Sequence, residues 1–346
     1  MHWTLAAPFI DTVGGEGSAW LIPFVPGDRH QFEVVPRRKP LAKWHDRASP
    51  VSTKEEWIDY WNHATDTLAV AQEGVITVFP QLPAVIGLRQ RLSPRKKLAM
   101  VAWLFNVGLC HPGLRQMLSR FALKDVNRFI VHTRRECDMY AEWLGLPKDR
   151  FEFVPIQAIE VPIEYEEDTE DPFVLLQGSA HRDFPTFIEA VQRLGVRAVI
   201  LSGPQALEGV DVPANIETPF GVSKADCQRF AQKARVNVVP MIRNDQATAA
   251  GQVTVAETMW MKRPMVVSRC NGAEDYVIDG DNGLLVEPHS VDALADAIKR
   301  LWDDASLRTR IGGQAYDYAS RTFTDQAAGA ALGSILDRVA DEIGAR

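Results

Sequence analysis

The chain has 346 residues, 46% of them hydrophobic and 24% charged, the balance of an ordinary globular protein with room for about two domains. A formal net charge of -7 leaves no overall basic excess and argues against a nucleic-acid partner. No apolar run approaches the roughly 20 residues of a membrane-spanning helix, and the first residues lack the basic and apolar regions of a signal peptide.

In chain order, short runs rich in Val, Ile and Phe at 3–7, 32–35, 75–79, 99–104 and 129–132 predict strands. Helical patterns at 54–70, 83–91, 114–123 and 134–144 lie between them. Residues 160–172 are acidic and bounded by Pro162 and Pro172, which predicts an exposed linker. The alternation then restarts. Strands are expected at 173–177, 198–202, 236–239, 265–268 and 284–286. Helices are expected at 184–194, at 223–234 with Ser223 as N-cap, at 254–261, and from Ser290 to about Trp302. A final amphipathic helix is expected from about Thr324 to Ile343. The expected domains are therefore 1–165, 166–325 and a C-terminal helix at 326–346 that packs back on the first domain. Strand–helix alternation on both sides predicts an α/β fold of two doubly wound parallel-sheet domains with a cleft between them. In such folds ligands bind beyond the carboxyl ends of the strands, so the post-strand loops are where chemistry is sought.

Three segments stand out there. Gly251 and Gln252 open a helix just after a strand, where free backbone N–H groups and the helix dipole suit a phosphate; Val253 and Thr254 follow in the first turn. Glu257, further along, would repel phosphates but suits the hydroxyls of a sugar diol. In the second segment a strand ends at Gly178, Ser179 follows, and Arg182 precedes a helix. Glycine permits close backbone approach and arginine offers a fork that matches phosphate oxygens. The bland alternative is Asp183 as an N-cap with Arg182 solvated. The third is the glycine-rich run Gly14, Gly15, Gly17 after the first strand, which reads equally as a plain loop. The densest basic cluster is Arg89, Arg91, Arg95, Lys96 and Lys97, a candidate for anionic headgroups or simply a solvated helix end. Cys110, Cys137, Cys227 and Cys270 form no CxxC pair and read as reduced thiols of a cytoplasmic protein. Asp279 and Asp281, the nearest approach to an acidic metal pair, read as a turn with Gly280 and Gly283.

The stretch from Ala249 to Pro288, with Glu257, the Pro264-Met265-Val266-Val267 run, the Gly272–Glu274 turn and the Gly283-Leu284-Leu285-Val286-Glu287-Pro288 close, resembles the donor-binding half of GT-B glycosyltransferases of the retaining family 4 group. The resemblance covers about 173 to 323 and extends weakly over the first half. It implies transfer of a hexosyl-type sugar from a nucleotide diphosphate sugar to a glycan or lipid-linked acceptor. It also implies retention of configuration, no metal and no cofactor, and a protein in the cytoplasm or peripheral on the membrane's inner face. By the same resemblance Glu257 holds the ribose, Gly178, Ser179, Arg182 and 251–254 hold the donor nucleotide, and the Gly14–Gly17 run reaches across the cleft. Arg182 stands in for the family's basic pair, and with Asn106 and His111, near the place of the family's active-site histidine, it completes the candidate catalytic set. One departure is plain. The family's first glutamate, eight positions before the second, is Ala249 here (257 − 8 = 249). An inactive nucleotide-sugar-binding protein or a nucleotide-sugar epimerase are the alternatives.

Overall fold

The structure, a computed structural model, describes residues 1–11, 19–40, 52–94, 97–246 and 248–344. It divides into two units, Met1–Val154 with Asp325–Arg346, and Pro155–Thr324.

The first unit is a six-stranded parallel sheet: β1 (His2–Ala6), β2 (Gln31–Val34), β3 (Gly74–Val78), β4 (Ala99–Trp103), β5 (Arg128–Val131) and β6 (Phe151–Phe153), in the order β2-β1-β3-β4-β5-β6. β3 and β4 are buried at every position, as a sheet covered on both faces requires. Alternate residues feed two cores. Val75, Met100 and Phe129 pack with α1 (Lys54–Val70), α2 (Gln81–Leu92), α3 (Leu114–Leu123) and α4 (Arg134–Leu144). Ile76, Val101 and Ile130 meet Leu332, Ile335, Leu336 and Val339 of α10 (Asp325–Gly344) on the other face. Gly329 lets α10 lie against the chain at Phe24, where a Cβ would sit 2.4 Å from the Phe24 Cβ. Thr53 caps α1 in a reciprocal box with Glu56, which explains why this helix begins where it does.

The second unit repeats the plan with β7 (Val174–Gln177), β8 (Ala198–Leu201), β9 (Ile216–Glu217), β10 (Val236–Val239), β11 (Met265–Ser268) and β12 (Leu284–Val286), all parallel, in the order β12-β11-β10-β7-β8-β9. Its helices are α5 (Phe184–Leu194), α6 (Lys224–Lys233), α7 (Gln252–Trp260), α8 (Val291–Asp303) and α9 (Ala305–Thr322). Asp183, Ser223, Ser290 and Asp304 cap α5, α6, α8 and α9 by accepting from backbone N–H groups. The chain runs outward from β7 through β8 to β9, then returns to the other side of β7 at β10. The strand order therefore reverses between β7 and β10, and the loops after these two strands flank the crevice where such sheets bind ligands.

Three elements depart from the sequence reading. β6 and β9 are three and two residues long, too short to show a pattern. α9 was not expected because Gly312-Gly313 and scattered small residues blur its apolar face; Gly312 packs on the end of α7, where a Cβ would sit 2.4 Å from the Lys262 carbonyl oxygen.

The expected linker at 160–172 is exposed at Glu160, 162–166 and 169–171, but it is not a free tether between domains. The segment lies in the second unit and is tied down along its length. Gln232 Oε1 accepts from the Glu164 and Tyr165 N–H groups at 2.8 and 2.9 Å, and its Nε2 donates to the Pro162 carbonyl. Glu167 pairs with Arg235 at 2.7 Å and Arg308 at 3.1 Å. The acidic run that suggested self-repulsion is offset by these arginines, which come from β10's start and α9 and are distant in sequence.

Candidate functional site

Gly178 ends β7 with φ +101°, a conformation open to glycine. The turn that follows folds Arg182 back under it. A Cβ on Gly178 would stand 2.6 Å from Arg182 Nη2, so the missing side chain is what admits the guanidinium. The segment is then laced to the loop after β10: Ile242 N–H donates to the His181 carbonyl at 2.9 Å and Asp183 N–H to the Pro240 carbonyl at 3.0 Å. Post-β7 and post-β10 loops thus form one braced floor at the switch point.

Arg182 is buried, 5% exposed. Its Nε donates to the Gln177 carbonyl at 2.9 Å and Nη1 to the Ala180 carbonyl at 3.0 Å; Nη1 also lies 3.2 Å from Met241 Sδ. Nη2 donates to Thr254 Oγ1, in the first turn of α7, at 3.1 Å. No carboxylate forms an ion pair with it among the described residues. Burial pushes its pKa down to about 10, so it stays charged near neutrality. A buried cation whose hydrogen bonds all go to neutral atoms keeps its field for an anion. The bland alternative of a solvated Arg182 is set aside by its burial, while Asp183 does cap α5, accepting from Thr186 N–H at 3.2 Å.

α7 supplies the complementary half. Its N-cap is Gly251 at φ +90°, with no side chain capping the first turn. A Cβ there would meet Met241 Sδ at 2.9 Å. The contact from Arg182 to Thr254 joins the two segments singled out separately in the sequence. Gln252 is corrected in part: its side chain is buried and donates to the Asn271 carbonyl at 2.8 Å, so it pins α7 to the loop after β11 and leaves only its backbone for a ligand. Val253 is 54% exposed beside it, an apolar surface on an otherwise polar rim. Glu257 is partly buried and its Oε1 lies 3.3 Å from Lys224 Nζ at the start of α6. Ser179 Oγ sits 2.8 Å from Ser202 Oγ and accepts from Gly203 N–H at 3.2 Å, extending the rim to the end of β8. Met241 and Lys224 were not found from sequence. Both become visible only once the strand order puts the β10 loop and the α6 start beside β7 and α7.

The remaining candidates lie elsewhere. Asn106 and His111 are on the loop after β4 in the first unit; Asn106 Oδ1 accepts from Gly108 N–H at 2.8 Å and the His111 carbonyl accepts from Trp143 Nε1 at 2.8 Å. Gly14, Gly15 and Gly17 fall outside the described residues, as do Arg95 and Lys96. The rest of the basic cluster is engaged. Arg89 stacks on Trp61 with 4.9 Å to the ring centre, while Arg91 and Lys97 share Asp125 at 3.1 and 2.6 Å. Asp279 Oδ1 accepts from Leu285 N–H at 2.9 Å within the turn closed by Gly280 N–H on the Gly283 carbonyl. No helix among the described residues is long and apolar enough to cross a membrane.

Residues 175–304 match the family described as "Glycosyl transferases group 1". Among characterised proteins, the D-inositol 3-phosphate glycosyltransferase of Corynebacterium glutamicum (strain R) is 41% identical over 159 residues, 42% of this chain and 37% of that protein. The alpha-D-kanosaminyltransferase of Streptomyces kanamyceticus is 35% identical over 87 residues, 25% of this chain and 22% of that one. The chain thus spans less than two fifths of the length of these two relatives. Of solved structures, sucrose-phosphate synthase from Thermosynechococcus elongatus superposes with a TM-score of 0.68 at 14% identity over 99% of both chains. The Anabaena protein HepE in complex with UDP superposes with a TM-score of 0.65 at 14% identity, over 97% of this chain and 99% of that one. The fold is GT-B: two Rossmann-like units, each with a six-stranded parallel sheet.

Proposed function

We propose that this GT-B chain, whose residues 175–304 match the group 1 glycosyl transferases, moves a hexosyl-type sugar from a nucleotide diphosphate sugar to a glycan or lipid-linked acceptor, with retention and without a metal. The observation that carries the reading is Arg182: a buried cation with no carboxylate partner among the described residues, bridging the Gly178 turn to the uncapped first turn of α7. The diphosphate sits against that turn, where the α7 N–H groups and the Arg182 field offset the charge that grows on the leaving group as the glycosidic bond breaks. Glu257, one to two turns along α7, takes the ribose hydroxyls. Val253 offers apolar surface to the donor. Asn106 and His111 serve the acceptor side, and the place of the family's first glutamate at Ala249 makes the sugar contacts differ from those of the group. The test is a donor-consumption assay with a panel of acceptors. Transfer that needs an acceptor supports the reading. Donor conversion without acceptor points to an epimerase, and no consumption with any donor points to an inactive binding protein.

Peripheral membrane contact belongs to the first unit in this reading, supported by α3. Leu114, Met117, Leu118 and Phe121 recur at helical spacing and are all exposed, and α3 carries Arg115 and Arg120 but no acidic residue. An apolar stripe bordered only by cations complements an anionic lipid surface. Binding to phosphatidylglycerol vesicles should fall in Leu118→Ser and with added salt; unchanged binding, or none by the wild type, rules the contact out.

A further inference from the structure

A second polar pocket lies in the first unit. The chain leaving β2 is held to the loop after β1 by Arg37 N–H, which donates to the Ile10 carbonyl at 2.7 Å. This places Arg37, Arg38 and Lys39 beside one face of α1, where Asp59, Asn62, His63 and Asp66 recur at helical spacing. Arg37, Lys39, Asn62 and His63 border a cavity of about 150 Å³ together with Asp59 and Arg38.

Two buried groups there are left incomplete. Arg37 is 3% exposed; its Nη2 lies 3.2 Å from Asp59 Oδ2, but Nε and Nη1 have no hydrogen-bond partner among the described residues. His63 is 1% exposed. Its Nε2 lies 2.8 Å from the Val35 carbonyl and so carries the proton, which makes Nδ1 an acceptor, and Nδ1 is buried without a partner. Leaving such atoms buried and unpaired is unfavourable, so a ligand that pairs them is favoured. Among the described residues, the ion pairs set three cations, Arg37, Arg38 and Lys39, against two carboxylates, Asp59 and Asp66. Burial is the main reason the His63 imidazole sits below its usual range and stays neutral.

We infer that this pocket binds a phosphate group that keeps one P–OH. Its anionic oxygens accept from the Arg37 N–H groups and from Lys39, and its hydroxyl donates to His63 Nδ1. Sulfate and carboxylate groups lack that hydroxyl at neutral pH and satisfy only the arginine. The volume holds a phosphate group. Assigning this phosphate to the acceptor rests on the transferase reading; the binding of phosphate here does not.

The test is a titration of the full chain with inorganic phosphate, followed through the backbone and arginine side-chain N–H signals by NMR, with sulfate as the matched control. The expected result is a saturable shift at residues 37–39 and 62–63, an Arg37 Nε–H that moves downfield, and phosphate binding about tenfold or more tighter than sulfate. Arg37→Lys keeps the charge but loses the fork and should weaken phosphate about tenfold. The exposed Lys39→Ala, which leaves the buried residues in place, should weaken it without altering the fold. The inference is overturned if these signals do not saturate, if sulfate binds as well as phosphate, or if neither variant changes the affinity. Shifts seen with phosphatidylglycerol vesicles and not with inorganic phosphate overturn it as well, in favour of a membrane surface.

Discussion

Arg182→Ala is expected to lower the turnover number for sugar transfer about 100-fold, equivalent to about 2.7 kcal/mol of barrier, while raising the donor KM much less. The reasoning is that charge on the departing diphosphate is greatest in the transition state, so a cation placed against it acts mainly there. The same guanidinium holds Gln177, Ala180 and Thr254, and its removal leaves those acceptors unpaired, so a fall in melting temperature is expected too. Arg182→Lys separates the two effects. It keeps the charge but cannot serve the three acceptors at once, so it should recover part of the turnover and little of the stability. Glu257→Gln provides the contrast, since ribose contacts exist in ground and transition states alike; its loss should appear chiefly in KM. Full turnover by a folded Arg182→Ala protein would dismiss the role given to this residue. It would move the search to other cations such as Arg269, which instead faces Asp279 and Glu287 at 3.6 Å each, or Lys262.

The second large effect concerns stability against acid. His132, just past β5, is buried, its Nδ1 donates to the Val154 carbonyl at 2.8 Å, and burial pushes its pKa down to about 4. An unfolded histidine titrates near 6.5. Above that value neither state binds the proton and His132 contributes nothing to the pH dependence. As pH falls from about 6.5 to about 4, the unfolded chain takes up a proton that the folded chain refuses, and stability is lost by about 3 kcal/mol in total. His63 and His30, also lowered chiefly by burial, act in the same direction. Urea unfolding of the wild type and His132→Asn between neutral pH and pH 4.5 would show it. The variant should lose less stability over this window; parallel curves would refute the assignment.

Most of the fold was legible because parallel strands buried on both faces are written as continuous runs of Val, Ile and Leu, and because Ser223 and Ser290 mark helix starts chemically. β9 has two residues and α9 spreads its contacts over glycines and alanines, so neither leaves a periodic trace. The site was legible in its parts. Gly178, Arg182, Gly251 and Thr254 announce themselves as glycine turns and helix starts. Their meeting depends on β7 lying next to β10, a fact of strand order that no local pattern encodes. The same holds for the Arg37 pocket, whose halves are separated by the length of chain between β2 and α1. Charge patterning marked 160–172 as exposed but could not show its remote partners: Glu167 pairs with Arg235 and Arg308, and Arg91 and Lys97 pair with Asp125.

The central claim is that the β7–β10 switch point of the second unit holds a nucleoside diphosphate. Hydrogen exchange of the full chain, measured alone and with UDP, GDP, ADP or TDP, tests it most directly. At least one nucleotide should slow exchange at 178–182 and through 251–257, where the turn and the first turns of α7 would donate to phosphate. Protection confined to the first unit, or no protection with any of the four, would contradict the claim.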